Sequence, residues 1–247
     1  MKFIDIDEKL KKYSEVKLSK ELLSDLREDL IIKWTYNSNA IEGNTIDLYQ
    51  TKVLLEDGIT IGGKTMKEHL EIINHAEAIK YIEEILNKKE SINEYEIKNI
   101  HALVTKGIED IDPGKYRETQ VLIGGANFIP VAPYLVKEKM EELVLWYKEN
   151  KLHPIEKASI LHGEFAKIHP FKDGNGRTAR LLLNFELMKN GYPPIIINKE
   201  EREKYYKVLD TGSVTGDWED FTKFIAVKVD ERIEYINKFK EEEIKLI

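Results

Sequence analysis

The feature that most limits how this chain can fold is a pair of helical runs meeting at a short, glycine-bearing junction. On one side Ala158, Leu161, Phe165 and Ile168 recur at three- and four-residue spacing, the pattern of a helix with one buried face. On the other, TARLLLNFELMKN runs from Thr178 without a breaker to Gly191, with Pro193 and Pro194 just beyond. Between them residues 168–180 read IHPFKDGNGRTAR, which carries far more chemistry than a helix–helix turn requires. Helical signals dominate elsewhere too. Thr65-Met-Lys-Glu68 and Ser91-Ile-Asn-Glu94 both fit a capping box, which predicts helices starting at these points. The stretch QVLIGGANFIPV (120–131) breaks the pattern and predicts a β-hairpin around Gly-Gly-Ala-Asn. The tail from Trp218 reads as a helix that grows increasingly charged. With no repeat or low-complexity linker, the expectation is one mainly α-helical unit with one short hairpin.

Bulk properties exclude several function classes. At 247 residues and 42% hydrophobic content the chain can bury a sizeable core. A net charge of -7 argues against nucleic acid as a principal partner, which calls for basic patches. There is no cysteine, so disulfides, thiolate metal sites and a thiol nucleophile are ruled out. The charged start MKFIDIDEKLKKYSE does not read as a signal peptide, and no run approaches the roughly 20 apolar residues that span a bilayer. A soluble cytoplasmic protein, with no membrane partner, is the expectation.

Residues 58–65, GITIGGKT, match the phosphate-loop pattern G-x-x-x-x-G-K-[ST] letter for letter. That pattern works only when a buried strand runs into the first glycine, and no strand signal precedes Gly58. Thr65 already has a capping role. The reading is a glycine turn between helices.

The junction is different. Gly174, Asn175 and Gly176 at a helix start expose backbone N–H groups, an anion cradle reinforced by the helix dipole. Arg177 and Arg180 add two guanidiniums, a set suited to a polyphosphate. Asp173 beside such a cradle makes sense if a Mg²⁺ bridges it to phosphate, and His169 is placed to take a proton from an attacking hydroxyl. Each element alone has a bland reading, since a histidine before proline commonly caps or packs and Asp-Gly-Asn-Gly is a common turn. The conjunction carries the signal.

HPFKDGNGRTAR resembles the Fic-domain signature, H-x-F-x-[DE]-G-N-G-R-x-x-R, at every specified position. PGKYRETQVLIGG (113–125) is similar to the family's flap hairpin, and GYPPIII with REKYYKVL (191–209) to the segment after the motif. NSNAIEGNT and HLEIINHAEAIKYI are similar to the N-terminal part of long family members. The resemblance implies a Fic fold. Its division would be an N-terminal helical region over 1–90 with an inhibitory helix at about 36–44, a catalytic core over 91–225, and a charged helix over 226–247 belonging to the same globular unit. It implies transfer of AMP from ATP to a Ser, Thr or Tyr hydroxyl of a target protein, and of the protein itself. His169 would be the base, Asp173 the Mg²⁺ ligand, and Gly174, Asn175, Gly176 and Arg177 the phosphate-binding set. Arg180 would grip the γ-phosphate, with Phe171 a core anchor. Val121, Leu122, Ile123 and Gly124 of the flap would pair with an extended target segment. Tyr206 would contact adenine, although an asparagine common after this pair is replaced by Gly212 and Ser213.

Ser38-Asn-Ala-Ile-Glu42-Gly43 resembles the family's inhibitory motif. By that resemblance Glu42 would occupy Arg180 in a bidentate pair, and Ser38, one turn earlier, would help orient Glu42. The rival readings are removal of AMP or transfer of another phosphate-containing group on the same loop, and a nucleotide-binding regulatory module without turnover. Many long relatives carry a C-terminal winged helix, for which the charged tail leaves little room, so DNA binding is not expected.

Overall fold

The computed structural model describes residues 3–15 and 19–245. Among these residues the chain forms α1 (Ile4–Glu15), α2 (Lys20–Ile41), α3 (Leu48–Glu56), α4 (Met66–Asn87), α5 (Glu94–Val104), α6 (Val136–Glu149), α7 (Pro154–Ile168), α8 (Asn175–Lys189), α9 (Arg202–Thr215) and α10 (Glu219–Lys245). No strand forms among the described residues. None of the described helices is long and apolar enough to cross a membrane.

Local chemistry explains most boundaries. The Thr65 hydroxyl accepts from the Glu68 N–H while the Glu68 carboxylate accepts from the Thr65 N–H, the complete capping box expected at α4. At α5 the cap is Asn93, not Ser91. The Asn93 side chain sits in extended backbone and accepts from the Glu96 N–H at 3.0 Å, so the helix starts two residues later than expected. The α2 helix corrects the sequence reading more strongly. Instead of a short element near 36–44, it is a 22-residue helix capped by Ser19, and Glu42 is its C-cap residue. The tail that reads as helical from Trp218 is α10, which starts at Glu219 and runs unbroken through residue 226. GITIGGKT is an irregular turn between α3 and α4, with Gly58 and Gly63 at positive φ.

The hairpin expected at 120–131 does not form. A two-stranded hairpin without a third strand is marginal in water, and Pro130 has no N–H to give to a ladder. Side chains hold the segment instead. The Gln120 amide donates to the Pro130 carbonyl at 3.0 Å, and Asn127 donates to Asp210 on α9 through its main-chain N–H (2.7 Å) and its amide (2.6 Å). The result is a loop pinned across the molecule.

Two buried apolar clusters meet along α7 and α8. One gathers Ile79, Ile97, Met140, Phe165, Phe171 and Leu182 from the α4–α8 side. The other gathers Leu187, Tyr205, Phe221 and Ile225 with Phe3 from α1's leading edge. Each fully buried side chain of this kind contributes about 1.5–3 kcal/mol. The α7–α8 pair therefore has core on both sides, and the short junction between its helices is held from below by packing. Trp218 locks α9 and α10 onto it: its indole lies so close to Gly163 and Gly212 that a Cβ at either would come within 2.5 Å of the ring.

Candidate active site

The junction 169–174 is shaped by its own side chains. Phe171 is fully buried and stacks on His101 of α5, ring centroids 3.6 Å apart and nearly parallel. Asn175, the first residue of α8, closes the loop with both ends of its amide: Oδ1 accepts from the Phe171 N–H at 2.9 Å and Nδ2 donates to the Phe171 carbonyl at 2.8 Å. Its side chain is a structural staple, so only its backbone is left for the anion cradle. Asn175→Ala would strand two buried main-chain groups, each costing about 1–3 kcal/mol. The expected result is a clear loss of stability in urea unfolding, against little change for a substitution of exposed Lys172.

His169 caps α7 in a left-handed conformation, φ 52 and ψ 60, rare for a residue with a side chain. Its Nδ1 donates to the Ala166 carbonyl at 3.4 Å, which leaves Nε2 as the basic atom of the neutral ring. Burial pushes the His169 pKa below its ordinary value, with the Arg117 guanidinium acting in the same direction. The neutral, proton-accepting form is therefore favoured.

His169, Asn175, Gly176, Glu42, Tyr206, Ile123 and Gly124 all line one cavity of about 480 Å³, bounded further by Tyr205, Leu209, Asp210 and Phe128. The cavity walls come from the junction, the loop at 120–131, the end of α2 and α9, while Ser38, Asp173, Gly174, Arg177 and Arg180 lie outside its lining. Val121 and Leu122 lie outside the cavity lining, Leu122 strongly exposed. Ser213 is buried with its hydroxyl on the Leu209 carbonyl, and Asp210 faces the cavity instead.

Arg180 sits beneath this cavity, 3% exposed, and four of its five N–H groups are paired. Nε donates to the Ser38 hydroxyl at 3.0 Å, Nη2 to the Ser38 carbonyl at 2.7 Å and to Glu42 Oε1 at 2.8 Å, and Nη1 to the Tyr205 hydroxyl at 3.4 Å. The pairing with Glu42 is a single hydrogen bond, not the bidentate one expected, because α2 presents Ser38 to the other side of the guanidinium. Ser38 accordingly binds Arg180 and not Glu42. Burial opposes the Arg180 charge, yet Glu42 and the tyrosines raise its pKa overall. Tyr205 in turn donates to buried His162 at 2.9 Å, and burial lowers His162 to about 3.

The position of Glu42 decides what the site can accept. A Cβ on Gly176 would lie 2.2 Å from Glu42 Oε1, so the carboxylate rests directly on the first turn of α8. Helix N-termini favour anions through exposed N–H groups and the dipole. Glu42 is itself the anion held there.

Arg177 lies elsewhere than expected. It is 1% exposed and pairs with Glu71 of α4 at 3.2 Å and with Asp173 at 3.3 Å, outside the cavity lining. Asp173 takes the Gly174 N–H on Oδ1 at 2.5 Å and has Lys67 3.6 Å from Oδ2. Burial works to raise its pKa, but Arg177, the Gly174 N–H and Lys67 bring it below the ordinary value. No group of three or more potential metal ligands exists among the described residues. Asp173 lines a neighbouring pocket with Lys67 and Asp110, outside the cavity that His169 lines. Its single carboxylate, next to the α8 N-terminus, is of the kind that suits Mg²⁺, a cation that keeps several waters and draws other ligands from phosphate. Sequence reasoning missed Glu71, His101 and Arg117, and it read Tyr205 with Tyr206 as an adenine contact where its hydroxyl in fact meets Arg180. Buried partners of a motif carry no local signature of their own, though the Arg in PGKYR and the first Tyr of the Tyr-Tyr pair lay inside quoted segments.

Fold and site together define an α-helical protein in which a half-buried histidine, the N-terminus of α8 and the Glu42 carboxylate resting on it share one cavity. The Fic/DOC family profile matches residues 91–187, which run from just before α5 to the end of α8. Protein adenylyltransferase fic-1 of Caenorhabditis briggsae is 39% identical over 213 residues, covering 84% of this chain and 41% of its own length. Protein adenylyltransferase Fic of Aedes aegypti is 38% identical over 229 residues, with 91% and 45% covered. The chain thus spans less than half the length of these relatives. A solved structure of Fic-1 from C. elegans superposes with a TM-score of 0.83 at 33% identity, covering 94% of this chain and 69% of that one. A Fic-domain signaling protein from Bacteroides thetaiotaomicron superposes at 0.87 with 28% identity and 97% of both chains covered. The chain belongs to the Fic/DOC family.

Proposed function

We propose that the chain is a protein adenylyltransferase, moving AMP from ATP to a hydroxyl of a target protein, and that Glu42 holds it in check. The relatives named for that activity support the reaction class. The observation that carries the reading is the seat of Glu42, on the α8 N-terminus and hydrogen-bonded to Arg180, within the cavity that His169 lines. With Glu42 displaced, the N–H groups of Asn175 and Gly176 and the Arg180 guanidinium would face the triphosphate, the Gly174 N–H staying on Asp173. His169 Nε2 would take the proton of the incoming hydroxyl as its oxygen attacks the α-phosphorus and pyrophosphate leaves. Asp173 would hold Mg²⁺, whose charge offsets that of the phosphates. Tyr206 and Asp210 border the part of the cavity left for the base, next to Leu209 and Phe128. Val121–Gly124, which form no strand, would receive an extended target segment along the cavity rim.

Self-modification is part of the reading. Of the hydroxyls near Glu42, Ser38 is buried at 2% and Thr45 is exposed, so Thr45 is the better acceptor. A cysteine-free sequence fits work in the cytoplasm. One observation favours a second reading, removal of AMP: the Glu42 carboxylate and His169 line the same cavity, where the pair could position a water. Release of AMP from a modified target by the unaltered protein, absent in Glu42→Gly, would select it.

The pH dependence follows from the base. A lowered His169 pKa keeps the ring neutral below the usual histidine midpoint, and removing Glu42 takes away a contribution that raises it. The acid limb of kcat/KM, which reports the free enzyme, is expected below pH ~6.5 in a Glu42→Gly variant. An acid limb above that value would contradict the assignment.

A further inference from the structure

One buried cation outside the motif binds the backbone on both sides of His169. Arg117, 5% exposed, lies in the stretch between α5 and the 120–131 loop. Its Nε donates to the His169 carbonyl at 2.8 Å and its Nη2 to the Ile168 carbonyl at 3.4 Å, while its own main-chain N–H donates to the Pro170 carbonyl at 3.0 Å. Three consecutive carbonyls around His169 are thereby bound by one residue. The same guanidinium donates to the Thr119 carbonyl through Nη1 at 3.0 Å and to the Val131 carbonyl through Nη2, which are the two ends of the loop.

We propose that Arg117 is a positioning residue that joins the backbone seat of His169 and the placement of the 119–131 loop into one unit. The inference rests on the reading of His169 as base and of the loop as target rim. A left-handed backbone at a non-glycine residue persists only where surrounding structure enforces it, and at His169 Arg117 holds the carbonyl while the N–H is held by the Phe165 carbonyl. The four acceptors of the side chain are all main-chain carbonyls, arranged around a planar fork with five N–H groups. A lysine keeps the charge but has a single rotatable head, so it cannot reach all of these directions at once. Between its ends the loop is clasped by Asn127 on Asp210, and Ile123, Gly124, Gly125, Ala126 and Phe128 form cavity wall. A target segment laid on this wall would load the same guanidinium that seats the base. Docking and base alignment would then be one event.

The test uses the full chain as Glu42→Gly, with Arg117→Met and Arg117→Lys added separately. Misplacing a reacting group by an ångström costs about 10²-fold in rate, so kcat for AMP transfer should fall by roughly that factor in Arg117→Met. The KM for ATP should stay put, because no cradle group is touched, and Arg117→Lys should fall between. A second arm needs no activity: amide exchange by NMR at His169 and Phe171 on one side and Asn127 on the other, all of which donate hydrogen bonds. In Arg117→Met all three should exchange faster. Unchanged kcat in a folded Arg117→Met protein overturns the proposal, as does a parallel loss of kcat and ATP binding. Faster exchange confined to one side overturns it too. If the Glu42→Gly parent transfers no AMP, the reaction reading fails and the exchange arm alone judges the coupling.

Discussion

Glu42→Gly is expected to raise AMP incorporation from ATP by about ten- to a hundredfold, from a charge-assisted hydrogen bond worth about 1.5–3 kcal/mol at roughly 1.4 kcal/mol per tenfold. Two effects act together. The substitution frees the Arg180 Nη2 that donates to Glu42 Oε1 at 2.8 Å, and it empties the anion position over Gly176. Arg180 should not collapse when Glu42 goes, because Ser38 and Tyr205 hold three of its other contacts from the protein side. The fold should survive as well. Glu42 is the C-cap of α2 and its side chain is 31% exposed, so glycine there removes no core packing. Titration of an ATP analogue with each form separates the two effects: a gain in affinity without a gain in rate would mean that Glu42 only blocks the site.

His169→Ala in the same background should lower transfer by about 10²–10⁴-fold, the usual contribution of a general base. The change should leave nucleotide affinity intact, since the cradle belongs to α8 and to Arg180. It should also leave the junction in place. The left-handed backbone at 169 is held by the His169 carbonyl to Arg117 and the His169 N–H to Phe165, neither of which uses the imidazole. A matched loss of ATP binding and rate would instead assign His169 a structural role.

The helices were legible because their signals are local. Apolar spacing marks α7 and α8, and a threonine and a glutamate three residues apart mark the start of α4. The twelve residues from His169 to Arg180 were legible as a candidate site because a tight loop must carry its own chemistry in sequence. What stayed hidden depended on distant partners. The turn at 120–131 has the letters of a hairpin, but Asp210 and Arg117 hold it as a loop. Arg177 reads as a phosphate ligand until Glu71, far upstream on α4, is seen to pair with it. Ser38 reads as a partner of Glu42 because the two are four residues apart, yet the guanidinium between α2 and α8 takes both.

The measurement closest to the central claim is incorporation of label from α-³²P-ATP and from γ-³²P-ATP, side by side, into the protein itself and into cell lysate. Unaltered protein, Glu42→Gly, and Glu42→Gly with His169→Ala would be compared. The account predicts label from the α-phosphate alone, strongest in Glu42→Gly and lost in the double variant. Label from the γ-phosphate, or label no stronger after Glu42 is removed, would contradict it.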